Sequence, residues 1–432
     1  MTQGVCTAIT ACRSCGSADL ESVFDLGMMP LSDGFARDGT APDPHYPLEV
    51  LICNTCGLAQ LRHTVAPDAL FDDDYYYFSS YSQTVVDNAR ANVAQALNRF
   101  APGPDALVVE LASNDGYLLR HVAARGHRTL GIDPASGPVA AARAAGIETL
   151  HAFFTENLAE ELAASGRQAD LVFGNNVLAH VADTGGFVRG IARLLKPGGT
   201  AIIEAPYLRD LIEHGEFDTI YHEHLCYFSI GSLRQLFARH GLALNDVERI
   251  PIHGGSIRLT IQHADAPAPR MLVLLAEEHA LGLDSAEAFR RFAERTAATG
   301  ERLLALLRRL KSAGARIAGY GAAAKGTILL NHFGLGRDML DWVADANPHK
   351  HGRFVPGVKL EIVAPSRIAT DRPDYLLLLP WNHKEEIMRQ QAAFLAAGGR
   401  FIVPIPEPVI LDAPRDNAGR PMTAFLAAAA EA

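Results

Sequence analysis

No run of roughly eighteen uninterrupted apolar residues occurs in this 432-residue chain, so no helix that crosses a membrane is expected. The opening MTQGVCTAITACRSCG lacks a basic stretch leading into an apolar one; neither a secretory signal nor a transit peptide is expected, and the expected compartment is the cytoplasm. Positive charge is in deficit, with 39 Lys and Arg against 49 Asp and Glu, a net charge of -10. That balance opposes general attraction to nucleic-acid phosphates or anionic lipid, so neither is an expected partner and an anionic ligand must be met locally. Cysteine is sparse, six residues in all, four of them in two CxxC pairs that in a reducing compartment more often hold metal than form disulfides, with Cys6 and Cys226 left over. What is present is ordinary for a globular protein: 48% hydrophobic and 20% charged residues, in a chain too long for one core.

The patterning divides the chain into three expected domains, 1–70, 71–312 and 313–432, with a monomer as the expected assembly. The first holds short apolar pieces broken by Gly, Pro and Asp, too few to build a core without a staple. A tyrosine-rich stretch, FDDDYYYFSSYSQT, then leads into VVDNARANVAQALNRF, whose apolar residues recur at helical spacing. From Ala106 short apolar runs alternate with helices: ALVVELA, TLGID, DLVFGNN and TAIIEAP are the strands of a parallel, doubly wound sheet. LKPGG reads as a helix terminator in which Gly198 or Gly199 takes a left-handed cap. ALNDVERIPI and SIRLTIQH read as an antiparallel pair closing the sheet. Long amphipathic helices follow over 270–312, and ARIAGYGAAAKGTILLN opens a second α/β domain, with further strands in DMLDWVADAN, DYLLLLP and RFIVPIP. The alanine-rich tail, MTAFLAAAAEA, reads as a short helix or a frayed end.

Five places carry chemistry. Cys12 and Cys15 form one CxxC knuckle and Cys53 and Cys56 another; two knuckles complete a four-sulfur shell with no vacant position, the signature of one structural zinc. A strand ending at Glu110 that turns through Ala112, Asn114 and Gly116 into a helix lets backbone amides approach a ligand, and Asp133 at the end of the next strand would accept from ribose hydroxyls. Acids at both strand ends suit an adenosyl group bearing a sulfonium, and Asn175 and Asn176, ending a later strand, would border its methyl group. YHEHLCYFS packs Tyr221, His222, Glu223 and His224 together. It reads either as a general base acting beside a carbonyl or as a polar loop with capping histidines. IHGGSIR offers amides around His253 and Ser256 to a phosphate, or is a hairpin turn using its glycines for shape. GYGAAAKG with Asp345 fits the dinucleotide fingerprint; the alternative is a Rossmann-like domain with another use, Lys325 facing a phosphate.

Taken in order, the two CxxC pairs, YYYFSSYSQT, ELASNDGYLL, NNVLAHV, YHEHLCYFS, HGGSIR, GYGAAAKGTILLN and PWNHKEEI resemble the three-domain nucleotide-sugar C-methyltransferases of antibiotic deoxysugar pathways, over nearly the whole chain. The resemblance implies an amino-terminal zinc-binding domain, a central class I methyltransferase sheet using S-adenosylmethionine, and a carboxy-terminal Rossmann-like α/β domain that holds a nucleotide-linked 4-keto-sugar without NAD. It implies His224 as base, with Tyr221, Glu223 and His180 in support. It places Tyr76, Tyr77, Ser80 and Tyr81 near the sugar nucleotide, with Lys325, Trp381 and Asn382 approaching from the last domain. Ala112 departs from the glycine that many methyltransferases carry there. Rival readings are an O- or N-methyltransferase of another small molecule and a zinc-containing nucleic-acid binder.

Overall fold

The computed structural model describes residues 5–66, 70 and 78–412. Tyr76, Tyr77 and the alanine-rich tail lie outside the described residues. The chain divides into two compact units: the first comprises Met1–Val23, Val50–Leu211 and Glu223–Ala288, the second Phe24–Glu49, Ile212–His222 and Phe289–Ala432. The amino-terminal strands are β1 (Cys6–Ala8), β2 (Leu20–Pro30), β3 (His45–Cys53), β4 (Ala59–Leu61) and β5 (His63–Val65).

The first unit is built on a seven-stranded sheet. Its strands are β6 (Leu107–Leu111), β7 (Arg128–Asp133), β8 (Thr149–His151), β9 (Ala169–Asn175), β10 (Leu195–Pro206), β12 (Ala243–Ile250) and β13 (Ser256–Gln262), while the short β11 (Cys226–Tyr227) pairs with β4 instead. The order is β12-β13-β10-β9-β6-β7-β8, with β13 antiparallel to both neighbours and the other pairs parallel. Chain order reverses between β6 and β9, and an open α/β sheet binds ligands in the crevice at the carboxyl ends of such a pair. β6 reads LVVEL and is buried along its whole length, as a strand covered on both faces must be.

Helix Gln83–Phe100 begins where the Ser82 side chain accepts from the Val85 amide. Val85, Ala89, Val93, Ala96 and Leu97 form its buried stripe and join one core with Val108, Leu171, Phe173 and Ile202. Burying five such side chains contributes on the order of 1.5–3 kcal/mol for each larger one.

The expected glycine cap at LKPGG is not formed. Helix Thr184–Leu194 stops at Leu194, and Leu195 is already extended (φ -70°, ψ 135°). Leu195 pairs with Ala169 of β9 and is buried, so sheet pairing claims it ahead of Pro197; Gly198, at φ 84°, lies in the bulge before pairing resumes at Thr200. The sequence did place the stop correctly and mistook what makes it.

The second unit holds β14 (Ile317–Tyr320), β15 (Val343–Ala344), β16 (Ile362–Val363), β17 (Tyr375–Leu378), β18 (Arg400–Val403) and β19 (Val409–Leu411) in the order β16-β15-β14-β17-β18-β19. All pairs are parallel except the last. Helix Ala286–Ser312 is one of the long helices expected over 270–312, and helix Ala324–His332 is the shorter one expected after the glycine turn that follows β14. Gly321, at φ 86°, sits where a Cβ would collide with the Pro380 ring, so only glycine lets the β14 turn pass under the β17 turn. No helix among the described residues is long and apolar enough to cross a membrane.

Candidate active site

Four sulfurs meet in the first unit. The Sγ atoms of Cys12, Cys15, Cys53 and Cys56 all lie within 4.8 Å of one another, with Cys12 3.6 Å from Cys56 and Cys15 3.5 Å from Cys53. Gln60 donates to the Cys12 sulfur at 3.1 Å, as a partner of a metal thiolate does. The donor set is that of a closed, structural zinc site.

The second feature lies at the carboxyl ends of β6 and β7. Leaving β6, the chain takes left-handed conformations at Ala112 (φ 55°), Asn114 (φ 48°) and Gly116 (φ 77°). At a non-glycine residue such a conformation costs about 1–2 kcal/mol, which explains why glycine suits the Ala112 position in related folds. Asp133 holds the loop: its two oxygens accept from the Asn114 and Ala135 amides, each at 2.8 Å. Asn114 Oδ1 in turn accepts from the Ser79 amide at 2.8 Å, and Asp115 from that of Ser80 at 3.2 Å. The turn Ser79–Tyr81 therefore rests on this loop, with the exposed Tyr81 ring stacked on Phe78.

Glu110 is 0% exposed, and among the described residues neither carboxylate oxygen has a side-chain partner. Burial, then the charges of Asp133 and Asp115, push its carboxyl well above the ordinary range. The Leu119 main chain offsets this in part, but no cation among the described residues does, and a buried acid so placed fits a cationic ligand: S-adenosylmethionine carries both an ammonium and a sulfonium. Asp133 is also raised by burial, against the pull of its two amide donors. Each of its oxygens has capacity for a further donor. Asp133→Ala is expected to weaken S-adenosylhomocysteine binding by about 1.5–3 kcal/mol, the scale of a hydrogen bond to a charged group. Calorimetry checks it, with Asp345→Ala leaving the affinity unchanged; equal affinity for both variants and the parent would place the ligand elsewhere.

The third feature begins where β9 ends. Asn175 Nδ2 donates to the Tyr117 hydroxyl at 3.3 Å, Asn176 is left-handed at φ 53°, and the turn Leu178–His180 follows. The Leu225 amide donates to the Ala179 carbonyl at 2.8 Å, which fixes this turn beside Glu223 and His224 of the same unit. The rings of His180 and His224 meet edge to face, centroids 4.9 Å apart. Burial pushes His180 down to about 4, partly opposed by a hydrogen bond with the Glu223 main chain, so His180 is neutral at physiological pH. Glu223 and His224 are both buried in the first unit. Tyr221 and His222 belong to the second, where His222 Nε2 lies 3.3 Å from the Tyr46 carbonyl and its ring packs on Tyr46.

The HGGS segment is the turn between β12 and β13. His253 is left-handed at φ 59°, and the Ser256 hydroxyl donates to the Ile252 carbonyl at 3.0 Å and is fully buried. Gly255 packs so closely on Asp210 that a side chain would overlap it.

In the second unit Asp345 accepts from the Ala322 and Asn347 amides, both at 2.7 Å, the same arrangement as at Asp133. Lys325 Nζ lies 3.3 Å from Glu216 Oε2 and 4.7 Å from the centre of the Trp381 ring. Trp381 Nε1 donates to Asp218 Oδ2 at 2.8 Å, and Asn382 Oδ1 is buried without a partner among the described residues. Glu216 and Asp218 were not among the residues expected from the sequence. The only signal for them is the acid-rich GEFDT just ahead of YHEH, which reads equally well as a solvated loop.

Three family models match the chain in series: a zinc binding domain over 12–71, a methyltransferase domain over 86–247 and a C-methyltransferase C-terminal domain over 251–406. The chain is 38% identical over 416 residues to C-methyltransferase NovU of Streptomyces niveus, covering 95% of this chain and 99% of that protein. A ubiquinone biosynthesis O-methyltransferase of Azorhizobium caulinodans is 31% identical over 97 residues, 22% of this chain and 38% of that protein. Among solved structures, a magnesium protoporphyrin IX methyltransferase from Synechocystis with bound SAM is 16% identical, covers 42% of this chain and 79% of that one, and superposes with a TM-score of 0.32, too slight a likeness to bear on the reading.

Proposed function

This chain belongs to the three-domain sugar C-methyltransferase family, and from that premise we propose that it methylates a carbon beside the ketone of a nucleotide-linked 4-keto-deoxysugar, carbon 3 of a dTDP-sugar, through an enolate. S-adenosylmethionine is the cofactor, and it supplies a methyl group on a sulfur that leaves without needing a proton. Zinc is the structural metal. The domains divide at about residues 70 and 312, and the enzyme works in the cytoplasm.

The observation that carries the reading is the His180–His224 pair, in the same unit as Glu110 and Asp133, with His180 on the turn directly after β9. Alkylating a hydroxyl needs no carbanion, whereas alkylating carbon does, and imidazole is the side chain suited to take a weakly acidic proton near neutrality. His224 removes the proton beside the ketone. Its electron pair passes into the enolate, whose oxygen is met by donors of the site, and the nucleophilic carbon then takes the methyl group. Neutral His180 keeps the base free of a neighbouring positive charge, with Glu223 and Tyr221 in support. Glu110, Ala112, Asn114, Gly116, Asp133, Asn175 and Asn176 hold the cofactor.

The sugar nucleotide is met by Tyr76, Tyr77, Ser80, Tyr81, His253, Ser256, Lys325, Trp381 and Asn382. Lys325 is paired with Glu216, so a phosphate there exchanges one anion for another. The test is to supply isotopically labelled S-adenosylmethionine with a panel of nucleotide-linked 4-keto-deoxyhexoses. Transfer of label to a dTDP-sugar is expected, and label entering only non-sugar acceptors would refute the substrate reading.

A further inference from the structure

Asp218 is a costly residue to keep where it stands. It is 0% exposed on the short turn Phe217–Thr219, and its Oδ1 is buried with no partner from any other described residue, the one main-chain contact of the carboxyl being with Asp218 itself. Its other oxygen accepts the Trp381 indole N–H at 2.8 Å. The cation nearby, Lys325, lies against Glu216 and the Trp381 ring, so one lysine faces two buried carboxylates. A half-satisfied buried carboxyl calls for an explanation, because an apolar residue would fill the space with less penalty. The rest of the turn needs no such help: Phe217 packs against the rings of His332 and Phe333, at 5.3 and 5.0 Å, which already anchors it to helix Ala324–His332. What the polar link adds is direction. Trp381 is rigid, and a hydrogen bond to its indole fixes the rotation of the turn as apolar packing alone does not.

Asp218 is three residues ahead of Tyr221, and both belong to the second unit. We propose that Asp218 is a positioning residue: by accepting the Trp381 indole N–H it sets the orientation of the Phe217–Thr219 turn and so of the segment of the same unit that delivers Tyr221 to the reaction.

A residue retained for orientation against its own stability leaves a mark in the pH dependence. Burial pushes the Asp218 carboxyl up to about 7, with Glu216 adding to the rise and Lys325 and the Trp381 hydrogen bond opposing it. The folded protein thus holds a proton that the unfolded chain releases near the ordinary carboxylate value of about 4. Stability from this group is full at low pH and is lost as pH rises from about 4 through about 7. Other groups nearby titrate too: His214 lies 3.2 Å from Glu216, and His332 and His383 are close to Phe217 and Lys325. The comparison with Asp218→Asn removes their contribution, since it leaves them in place. Asp218→Asn is expected to melt higher than the parent at pH 8, with the gap closing toward pH 5.

The deciding experiment compares Asp218→Ala with Asp218→Asn in the full chain. With a dTDP-linked 4-keto-deoxyhexose, Asp218→Ala should lose about tenfold or more in kcat while S-adenosylhomocysteine affinity stays at the parent value, the scale of misplacing a reacting group. Asp218→Asn keeps an oxygen for the indole and should recover to within about threefold of the parent. The chain has two tryptophans, so its indole N–H resonances are simple to follow. That of Trp381 should shift in the alanine variant and persist in the asparagine variant, with Trp342, which donates to Asp371 at 3.0 Å, as the unmoved reference. Parent-like turnover in Asp218→Ala, an unmoved Trp381 resonance, an asparagine variant as slow as the alanine one, or lost S-adenosylhomocysteine binding would each overturn the inference. The turnover arm rests on the keto-sugar reading. Parent protein inert toward these sugars would refute that reading, and the indole resonance would still decide whether Asp218 holds Trp381.

Discussion

His224→Asn is expected to lower turnover by about 100-fold or more, the usual scale for losing a general base, while S-adenosylhomocysteine binds as before. Asparagine keeps much of the volume and a hydrogen-bonding edge but cannot take a proton near neutrality. The cofactor loop should be indifferent to the change, because Asn114 and Asp133 are held by their own backbone contacts. His222 is the comparison that gives the result meaning. It lies two residues earlier, is 2% exposed in the second unit, and packs on Tyr46. His222→Asn should therefore register first in stability, by about 1–3 kcal/mol for a disturbed buried polar group. Turnover measured side by side with thermal unfolding checks both. If His222→Asn abolishes turnover and His224→Asn does not, the base is the earlier histidine.

Removing zinc should have an effect at least as large, on structure instead of rate. Two knuckles carry the four thiols; three of the strands around them, β1, β4 and β5, have three residues each, and the longer β3 ends on the ligand Cys53 itself. Residues Val50–Cys53 and Leu58–Leu61 are buried, but the knuckles themselves are expected to owe their order to the metal, and a structural zinc contributes about 10–16 kcal/mol in isolated zinc modules. Metal analysis should give about one zinc per chain, the stoichiometry of a closed four-thiolate shell. Chelation, or Cys53→Ser, should release it and expose amide protons of the amino-terminal strands to exchange. Helix Gln83–Phe100 and β6 belong to a different core and should remain protected. Folded, active protein free of metal would refute the structural role.

Features with a local cause were legible in the sequence. The strands of the first sheet were visible because parallel strands buried on both faces are near-continuous apolar runs, as in LVVEL. The CxxC knuckles were visible because a ligand pair two residues apart leaves its spacing in the chain. Asp133 was visible because an acid ending the second strand has a fixed place in the α/β rhythm. Features made by distant partners were not legible. Arg258 donates to Glu204 at 2.8 Å across adjacent strands, while Asn88 and Asn92 reach the same carboxylate from a helix more than a hundred positions earlier. Lys325 read as a residue awaiting phosphate because nothing near it in sequence announces Glu216. At LKPGG the local rule identified the stop, but pairing of Leu195 with Ala169 supplied its cause. His222 and His224 could not be separated by pattern; Tyr46, distant in the chain, and His180, on another turn, distinguish their surroundings.

The central claim is that methyl transfer goes through a carbanion made by this protein, and the most direct measurement leaves the methyl out. Parent protein is incubated in deuterated water with S-adenosylhomocysteine and a dTDP-linked 4-keto-deoxyhexose, and the proton beside the ketone is followed by NMR. The account predicts that the parent exchanges this proton with solvent well above the uncatalysed rate and that His224→Asn does not. A parent protein that transfers methyl to the same sugar from S-adenosylmethionine, places it on oxygen and leaves that proton unexchanged would contradict it.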